Sequence, residues 1–293
     1  NEIDERFPKV QRRVGGYNID ALTGNDVNMA QLLVGSEGTL AYFTELNLSL
    51  ARLPGEKVLG VCHFPTFYAA MDAAQHLVEL NPQAVELIDD TMIALGRDIP
   101  LFAQTIESFV NGEPAALLLV EFAESDEATN AAKLAELAAL MGDLGFAFSE
   151  TGPRWGGMVP ISDPVIQSAI AEYRKSGLNI MMSMKDAGKP ISFVEDCAVA
   201  LPYLAEYSQG LTDIFSRYGT KGTWYAHASV GCLHVRPVLN MRQDKDVKTM
   251  RAIAEECFDL VKHYKGSHSG EHGDGIVRSE FHEKMFGSRI VSA

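Results

Sequence analysis

The chain has 293 residues, 46% hydrophobic and 22% charged, which is enough for one large domain or two medium ones and excludes a disordered, collagenous or coiled-coil protein. Acidic residues number 39 and basic residues 25, a formal net charge of -14 that does not suit general nucleic-acid binding. A small anionic ligand is compatible with that charge only where a local basic pocket receives it.

To about Leu53 the sequence is loop-like, with two glycine clusters, Gly15-Gly16-Tyr17 and Gly35-Ser36-Glu37-Gly38-Thr39. Asn28–Val34 between them reads as a short helix, and Leu40–Leu50 alternates as a strand does. Arg52-Leu53-Pro54-Gly55 marks a boundary, which divides the chain into residues 1–55 and 56–293. Val58–Phe64 is an apolar run that predicts a strand. Thr66 then caps a helix with Met71, Ala74, Leu77 and Val78 on one face. Ala84–Ile88 is a second short strand. Ala116–Phe122, nearly all apolar, is a third, buried on both faces. Ser125 is placed as cap of the next helix, which runs to about Met141 and ends at Gly142 and Gly145. Phe146–Phe148 would close this layer as a strand. In the second half Pro164–Tyr173 reads as helix, Ile191–Val194 as extended, and Pro202 as the first turn of a helix. Thr223–His227 and Leu233–Val235 read as paired strands around a turn. Asp244 is placed as cap of a long helix that buries Met250, Ile253, Ala254, Cys257, Leu260 and Val261. Gly266–Asp274 is a glycine- and histidine-rich loop. Two successive strand–helix–strand layers predict an α+β fold, an antiparallel or mixed sheet covered by helices on one side.

Cys62, Cys197, Cys232 and Cys257 are far apart and form no CxxC pair, so no zinc ribbon, iron–sulfur cluster or thioredoxin motif is encoded here. Unpaired thiols fit a reducing, cytoplasmic compartment. Apolar runs such as Ala115–Val120 are too short to span a bilayer. The polar start, without an initiator Met or signal peptide, and an end at Ile290-Val291-Ser292-Ala293 inside an apolar pattern lead us to expect a piece of a longer chain.

Four of the eight histidines pair up in sequence, His227 with His234 and His268 with His272. Strictly extended residues seven apart face opposite ways, but Gly231 lets the intervening turn bring the first two imidazoles to one side. Two imidazoles and one carboxylate make a common open metal site, and Glu271, loosened by Gly270 and Gly273, is the natural third ligand. The alternative is a pair of strand-end histidines bonded to backbone. His272 follows Glu271 directly; side chains diverge there, so one can hold a metal while the other faces a substrate as general base. A loop histidine without a role is the other reading. The loop from Gly35 to Leu40 offers backbone N–H groups that can cradle a pyrophosphate, although it is neither a Walker loop nor a GxGxxG turn and reads equally as a plain turn. Arg174 and Lys189 are candidate cations for a carboxylate, or else solvated surface charges.

Together these strings resemble one family. "LLVGSEGTLAYFTELNLSL" is similar to the end of the flavin domain in the vanillyl-alcohol-oxidase/PCMH superfamily. "HASVGCLHV" and "SGEHGDGIVRSEF" with "MFG" resemble the C-terminal cap of FAD-linked D-2-hydroxy-acid dehydrogenases, a group that includes D-lactate, glycolate and D-2-hydroxyglutarate dehydrogenases. "FVEDCAVALPYLAEY" is most similar to long bacterial members fused to an iron–sulfur module.

The resemblance implies a ferredoxin-like cap domain over residues 56–293, preceded by the tail of a PCMH-type FAD-binding domain over residues 1–55. It implies that His227, His234 and Glu271 hold zinc or manganese, that His272 is the catalytic base, and that Arg174 and Lys189 bind substrate carboxylates. It places Gly16, Tyr17, Gly35, Ser36, Gly38 and Thr39 against FAD; Glu195 matches an acidic position without an assigned role. Ser229, Val230 and Cys232 replace Gly, Asp and Asn of the family's HxGDGNLH turn, and Leu178 stands where D-2-hydroxyglutarate dehydrogenases tend to have a threonine. The larger part of the flavin domain and the family's C-terminal NPGK string are not in this sequence. The implied activity is oxidation of a small anionic 2-hydroxy acid to the 2-oxo acid, in the cytoplasm or peripherally at the inner membrane face. Electrons would leave through a [4Fe-4S] cluster in a fused or partner domain, and association with a second copy is left open. The rival readings are a metal-dependent hydrolase using the same His/His/Glu set and a non-catalytic cap or interaction module.

Overall fold

The computed structural model describes residues 2–23 and 27–292. Eight strands form one sheet: β1 Val58–Phe64, β2 Ala84–Asp89, β3 Ala116–Phe122, β4 Gly157–Ile161, β5 Lys189–Pro190, β6 Cys197–Ala198, β7 Gly222–His227 and β8 Cys232–Leu239. Their order is β4-β1-β3-β2-β7-β8-β5, with β6 also on β8, and every pairing is antiparallel. The first four strands have the ferredoxin-like arrangement, with helices Phe67–Leu77 and Glu127–Asp143 as the two crossovers. The β7–β8 hairpin extends that sheet across the edge of β2.

Helices lie on both faces rather than one. On the inner face Phe67–Leu77, Glu127–Asp143, Leu204–Arg217 and Asp244–His263 bury Met71, Leu137, Phe215 and Phe258 against Cys62, Leu118, Ala226 and Val235. On the outer face Asp90–Asp98, Pro100–Phe109, Pro164–Lys175 and Gly177–Met182 bury Met92, Ile106, Tyr173 and Met181 against Val61, Leu117 and Ile161. The cause is in β1 and β3, which are apolar at consecutive positions and so need cover above and below. The outer cover stops at β2. Beyond it the outer face of β7 and β8 carries Tyr225, His227, His234 and Arg236 instead of aliphatic side chains.

Thr66 caps its helix as expected, its side chain accepting from Ala69 N–H. Asp126 rather than Ser125 caps the next one, accepting from Thr129 N–H, and Gln243 rather than Asp244 precedes the long one. Leu40–Leu50 is not a strand: it has no neighbouring strand, and Leu46, Leu48 and Leu50 are 63%, 75% and 91% exposed. Phe146–Phe148 contributes only an isolated bridge, Ala147 to Trp155, and β4 closes that edge instead. Ile191–Val194 is irregular, the short β5 lying just before it. All four cysteines are free and buried, and among the described residues no helix is long and apolar enough to cross a membrane.

His63 on β1 is fully buried with both ring nitrogens used: Nδ1–H donates to the Val61 carbonyl at 2.9 Å, and Nε2 accepts from Asn111 N–H at 2.9 Å. Burial pushes its pKa from 6.5 down to about 4, only partly offset by backbone hydrogen bonds. Below pH 6.5 the unfolded chain therefore takes up a proton that the folded chain refuses, so stability falls as pH drops toward 4. We predict that His63→Gln costs about 1–3 kcal/mol at pH 7, through buried polar partners left unpaired. The gap to wild type should narrow by about 2 kcal/mol at pH 4.5. Urea unfolding followed by tryptophan fluorescence checks this, since Trp155 lies 6.5 Å from the His63 ring; parallel stability-against-pH curves would refute it.

Candidate active site

The hairpin register places the two histidines. His227 opposes Cys232, Tyr225 opposes His234, and opposed residues share a face, so His227, Cys232 and His234 all point outward. The turn depends on Gly231, whose φ is +66°; a Cβ there would stand 2.0 Å from the Val199 carbonyl oxygen. The imidazole centroids of His227 and His234 are 5.2 Å apart, as the turn chemistry leads one to expect.

Glu271 reaches the same point from the loop Ser269–Gly273, its Oε2 lying 3.5 Å from His227 Nε2 and 3.8 Å from His234 Nε2. Each histidine has a second carboxylate behind it. His227 Nδ1–H is shared between both oxygens of Glu86 at 2.9 Å, and His234 Nδ1 lies 3.5 Å from Glu195 Oε1. The carboxylate bonded behind His227 fixes its tautomer and leaves Nε2 as the ligand, whereas His234 Nδ1 is buried without a hydrogen-bond partner. The Glu86 hydrogen bond raises the pKa of His227, against burial. Burial opposes ionisation of Glu195, but contacts from His234, Arg236 and Ser192 outweigh it and hold the carboxyl well below the usual carboxylate range. Arg236 donates to both oxygens of Glu195 at 2.8 Å, and Tyr225 Oη donates to Oε1 at 2.9 Å.

Asp196 shapes the loop. It is fully buried, with φ +76°, and its carboxylate accepts from the backbone N–H of Glu271 and His272 at 2.9 Å and from Ser269 Oγ at 3.2 Å. Its carbonyl accepts Gly270 N–H at 2.7 Å. Arg278 ties Gly273 and the Glu195 carbonyl to the same corner. Held this way, His272 stays exposed and its ring stacks on His234 at 5.1 Å, tilted by 26°.

The sequence-derived cations are distributed differently. Arg174 donates to Glu86 Oε2 at 2.8 Å, so it stands directly behind His227. It also lines a cleft of about 130 Å³ with Leu178, Tyr225, Ile88 and Met92. Lys189 is not brought to the cluster: it lies on β5 opposite Leu239, and its ammonium donates to the Met184 carbonyl. Cys232, in the place of the family's asparagine, is buried with Sγ 3.5 Å from Asp196 Oδ1.

The two glycine clusters of the N-terminal segment meet each other. Tyr17 Oη and Thr39 Oγ1 share a hydrogen bond at 2.8 Å, and Asn18 Nδ2 donates to the Gln31 and Val34 carbonyls. Gly35 and Gly38 have φ of +78° and +77°, with open space where a Cβ would stand. Ser36 Oγ is buried without a partner. An orphaned hydroxyl beside two open glycines fits one edge of a flavin phosphate cradle. This segment lies against the histidine loop: Val14 N–H donates to the Ser269 carbonyl, Gly16 N–H to Asp274 Oδ2, and Arg12 pairs with Glu271 Oε1 at 3.3 Å.

Residues 53–293 match the family described as FAD linked oxidases, C-terminal domain. The chain belongs to this family. A D-2-hydroxyglutarate dehydrogenase of Escherichia coli strain K12 is 30% identical over 296 residues, covering 99% of this chain and 29% of that protein. A D-lactate dehydrogenase of Archaeoglobus fulgidus is 26% identical over 93% of this chain and 55% of its own length. The chain thus spans under a third of the first relative. Among solved structures, p-cresol methylhydroxylase with substrate bound superposes with a TM-score of 0.53 at 11% identity, over 79% of this chain and 47% of that one, a likeness of fold. In this FAD-linked oxidase domain the donor set of two imidazole Nε2 atoms and one carboxylate, each nitrogen backed by a further carboxylate, fits a divalent cation. Sequence reasoning missed Glu86, Asp196, Tyr225, Arg236 and Arg278. The one available signal was Glu86 itself, a charge set inside the apolar run "AVELI".

Proposed function

We propose that the full-length protein is an FAD-dependent dehydrogenase that oxidises a D-2-hydroxy acid, D-2-hydroxyglutarate or D-lactate, to the 2-oxo acid. The observation that carries this reading is the convergence of His227, His234 and Glu271 beneath the exposed imidazole of His272, against the N-terminal segment that carries Gly16. The names of the relatives support the substrate class. A zinc or manganese ion held by His227, His234 and Glu271 would supply Lewis-acid polarisation of the substrate hydroxyl and carboxylate. FAD, when bound, supplies the acceptor for the C2 hydride.

The chain's own residues do the rest. A nitrogen of the His272 ring takes the hydroxyl proton as the carbonyl forms. Glu86 holds the Nδ1–H of His227, and Glu195 faces Nδ1 of His234 at 3.5 Å. Arg174 anchors a carboxylate in the cleft it lines with Leu178 and Tyr225. For Lys189 to serve as a second anchor, its ammonium has to leave the Met184 carbonyl. Electrons then pass to an iron–sulfur module fused to the chain or carried by a partner, in the cytoplasm.

The test is anaerobic mixing of the full-length, flavin-loaded protein with D- and L-2-hydroxyglutarate and D- and L-lactate, followed by flavin bleaching. At least one D-acid should bleach the flavin while its L-enantiomer does not. Exhaustive chelation should slow bleaching by about 10²-fold or more, and zinc or manganese should restore it. Bleaching indifferent to chelation removes the metal role; no bleaching by any of the four acids removes the substrate reading.

A further inference from the structure

A second group of possible ligands flanks the loop Ser269–Gly273. His268 is fully buried, and its Nε2 is 2.8 Å from Asp274 Oδ1. His282, on the short helix His282–Phe286, sets its Nε2 2.8 Å from Asp274 Oδ2. The lengths are those of hydrogen bonds but the directions are not: His268 Nε2, His282 Nε2 and Asp274 Oδ1 are all buried without a hydrogen-bond partner, and so is His268 Nδ1. A protonated His–Asp–His ion-pair cluster would aim its N–H bonds at the carboxylate. Here one ligand atom from each of the three residues lies within 4.8 Å of the other two, without such bonds.

The surroundings of His268 are apolar. Phe258 and Phe286 stand 6.0 Å and 5.7 Å from the His268 ring, and Phe286 is 5.9 Å from His282. Gly15 packs from the N-terminal segment, where a Cβ would meet His268 Cε1 at 2.9 Å. Leaving four polar atoms unpaired in such a place is costly unless something pairs them.

We infer that His268, Asp274 and His282 form a second, structural site for a zinc-like divalent cation, separate from the His227/His234/Glu271 set. Two imidazoles and a carboxylate suit such an ion, and the apolar packing around His268 suits a structural role. The ion would join three pieces of chain: the loop that carries Glu271 and His272, the helix His282–Phe286, and, through the Gly16 N–H on Asp274, the N-terminal segment.

The test is elemental analysis of the full-length protein purified without chelator, as wild type, His282→Gln, His227→Gln and the double variant. Cluster iron apart, wild type should hold about two equivalents of zinc or manganese, each single variant about one and the double variant none. The melting temperature of His227→Gln, which keeps only the inferred site, should rise in zinc relative to chelator, and that of the double variant should not. Metal content in His282→Gln equal to wild type overturns the inference, as does a His227→Gln melt that is the same in zinc and chelator. Should His282→Gln fail to fold, the His227→Gln melt decides alone. Metal lost with His282→Gln but not with His227→Gln supports this site while removing the metal role proposed above.

Discussion

His272→Ala in the flavin-loaded full-length protein is expected to slow flavin bleaching by a D-2-hydroxy acid about 10²- to 10⁴-fold, the usual contribution of a positioned general base. Metal content and flavin content should stay at wild-type levels. The argument rests on how the residue is held. Its backbone N–H is fixed by Asp196, a bond the alanine variant keeps, and its side chain is exposed, so truncation opens no core cavity. Among the described residues the stacking on His234 is the only ring contact removed, and His234 retains Tyr225 against its other neighbour face at 4.6 Å. A base that is missing can be replaced from solution, so added imidazole should restore part of the rate. A ring that merely packs would leave no such rescue. Stopped-flow bleaching with and without imidazole separates the two, and near-normal bleaching in His272→Ala removes the base assignment.

Most of the ferredoxin-like half was legible because its elements other than β4 carry their own signals. The β1 and β3 runs are apolar without interruption, Thr66 is a good cap, and the periodic helices between them need only one sheet to pack on. The same uninterrupted runs already required cover on both faces, which the one-sided reading overlooked. Leu40–Leu50 misled for a different reason. Alternation states which residues want burial but not what buries them, and nothing among the described residues does so. Ser125 and Asp126 are both good caps one residue apart; the carboxylate took the position, with Ser125 Oγ donating to it.

In the site, the three ligand candidates and His272 were legible because glycines and histidines at short spacing advertise a turn and an imidazole pair. Their support was not. Glu86 comes from β2, more than a hundred residues before the hairpin, and only the β2–β7 register brings it opposite His227. Arg236 reads as one more charge in a strand until its outward direction sets it on Glu195. Lys189 shows the converse: residue type alone made it a carboxylate binder, whereas its place on β5 leaves its ammonium on a backbone carbonyl.

Asp196→Ala is the second large effect we expect, and it separates loop position from chemistry. The substitution removes the acceptor for Glu271 N–H, His272 N–H and Ser269 Oγ at once, and each buried donor left unpaired costs about 1–3 kcal/mol. It also puts alanine at φ +76°, a conformation that suits Asp and Asn but not Ala. The loop should therefore leave its corner. Glu271 departs with it, so metal affinity at the His227/His234 pair should fall about 10- to 100-fold, as for other supporting carboxylates. His272 departs too, so bleaching should fall by at least the roughly 10²-fold assigned to the base, even at saturating metal. Asp196→Asn keeps one acceptor oxygen and the tolerance for positive φ, and should lie between alanine and wild type on both measures. Isothermal titration of zinc or manganese and stopped-flow bleaching give the two readings. The order wild type, Asn, Ala in both marks Asp196 as the residue that positions Glu271 and His272. Metal affinity unchanged in Asp196→Ala would mean that the loop holds its place without that carboxylate, and that the hydrogen bonds to Glu271 and His272 carry no functional weight.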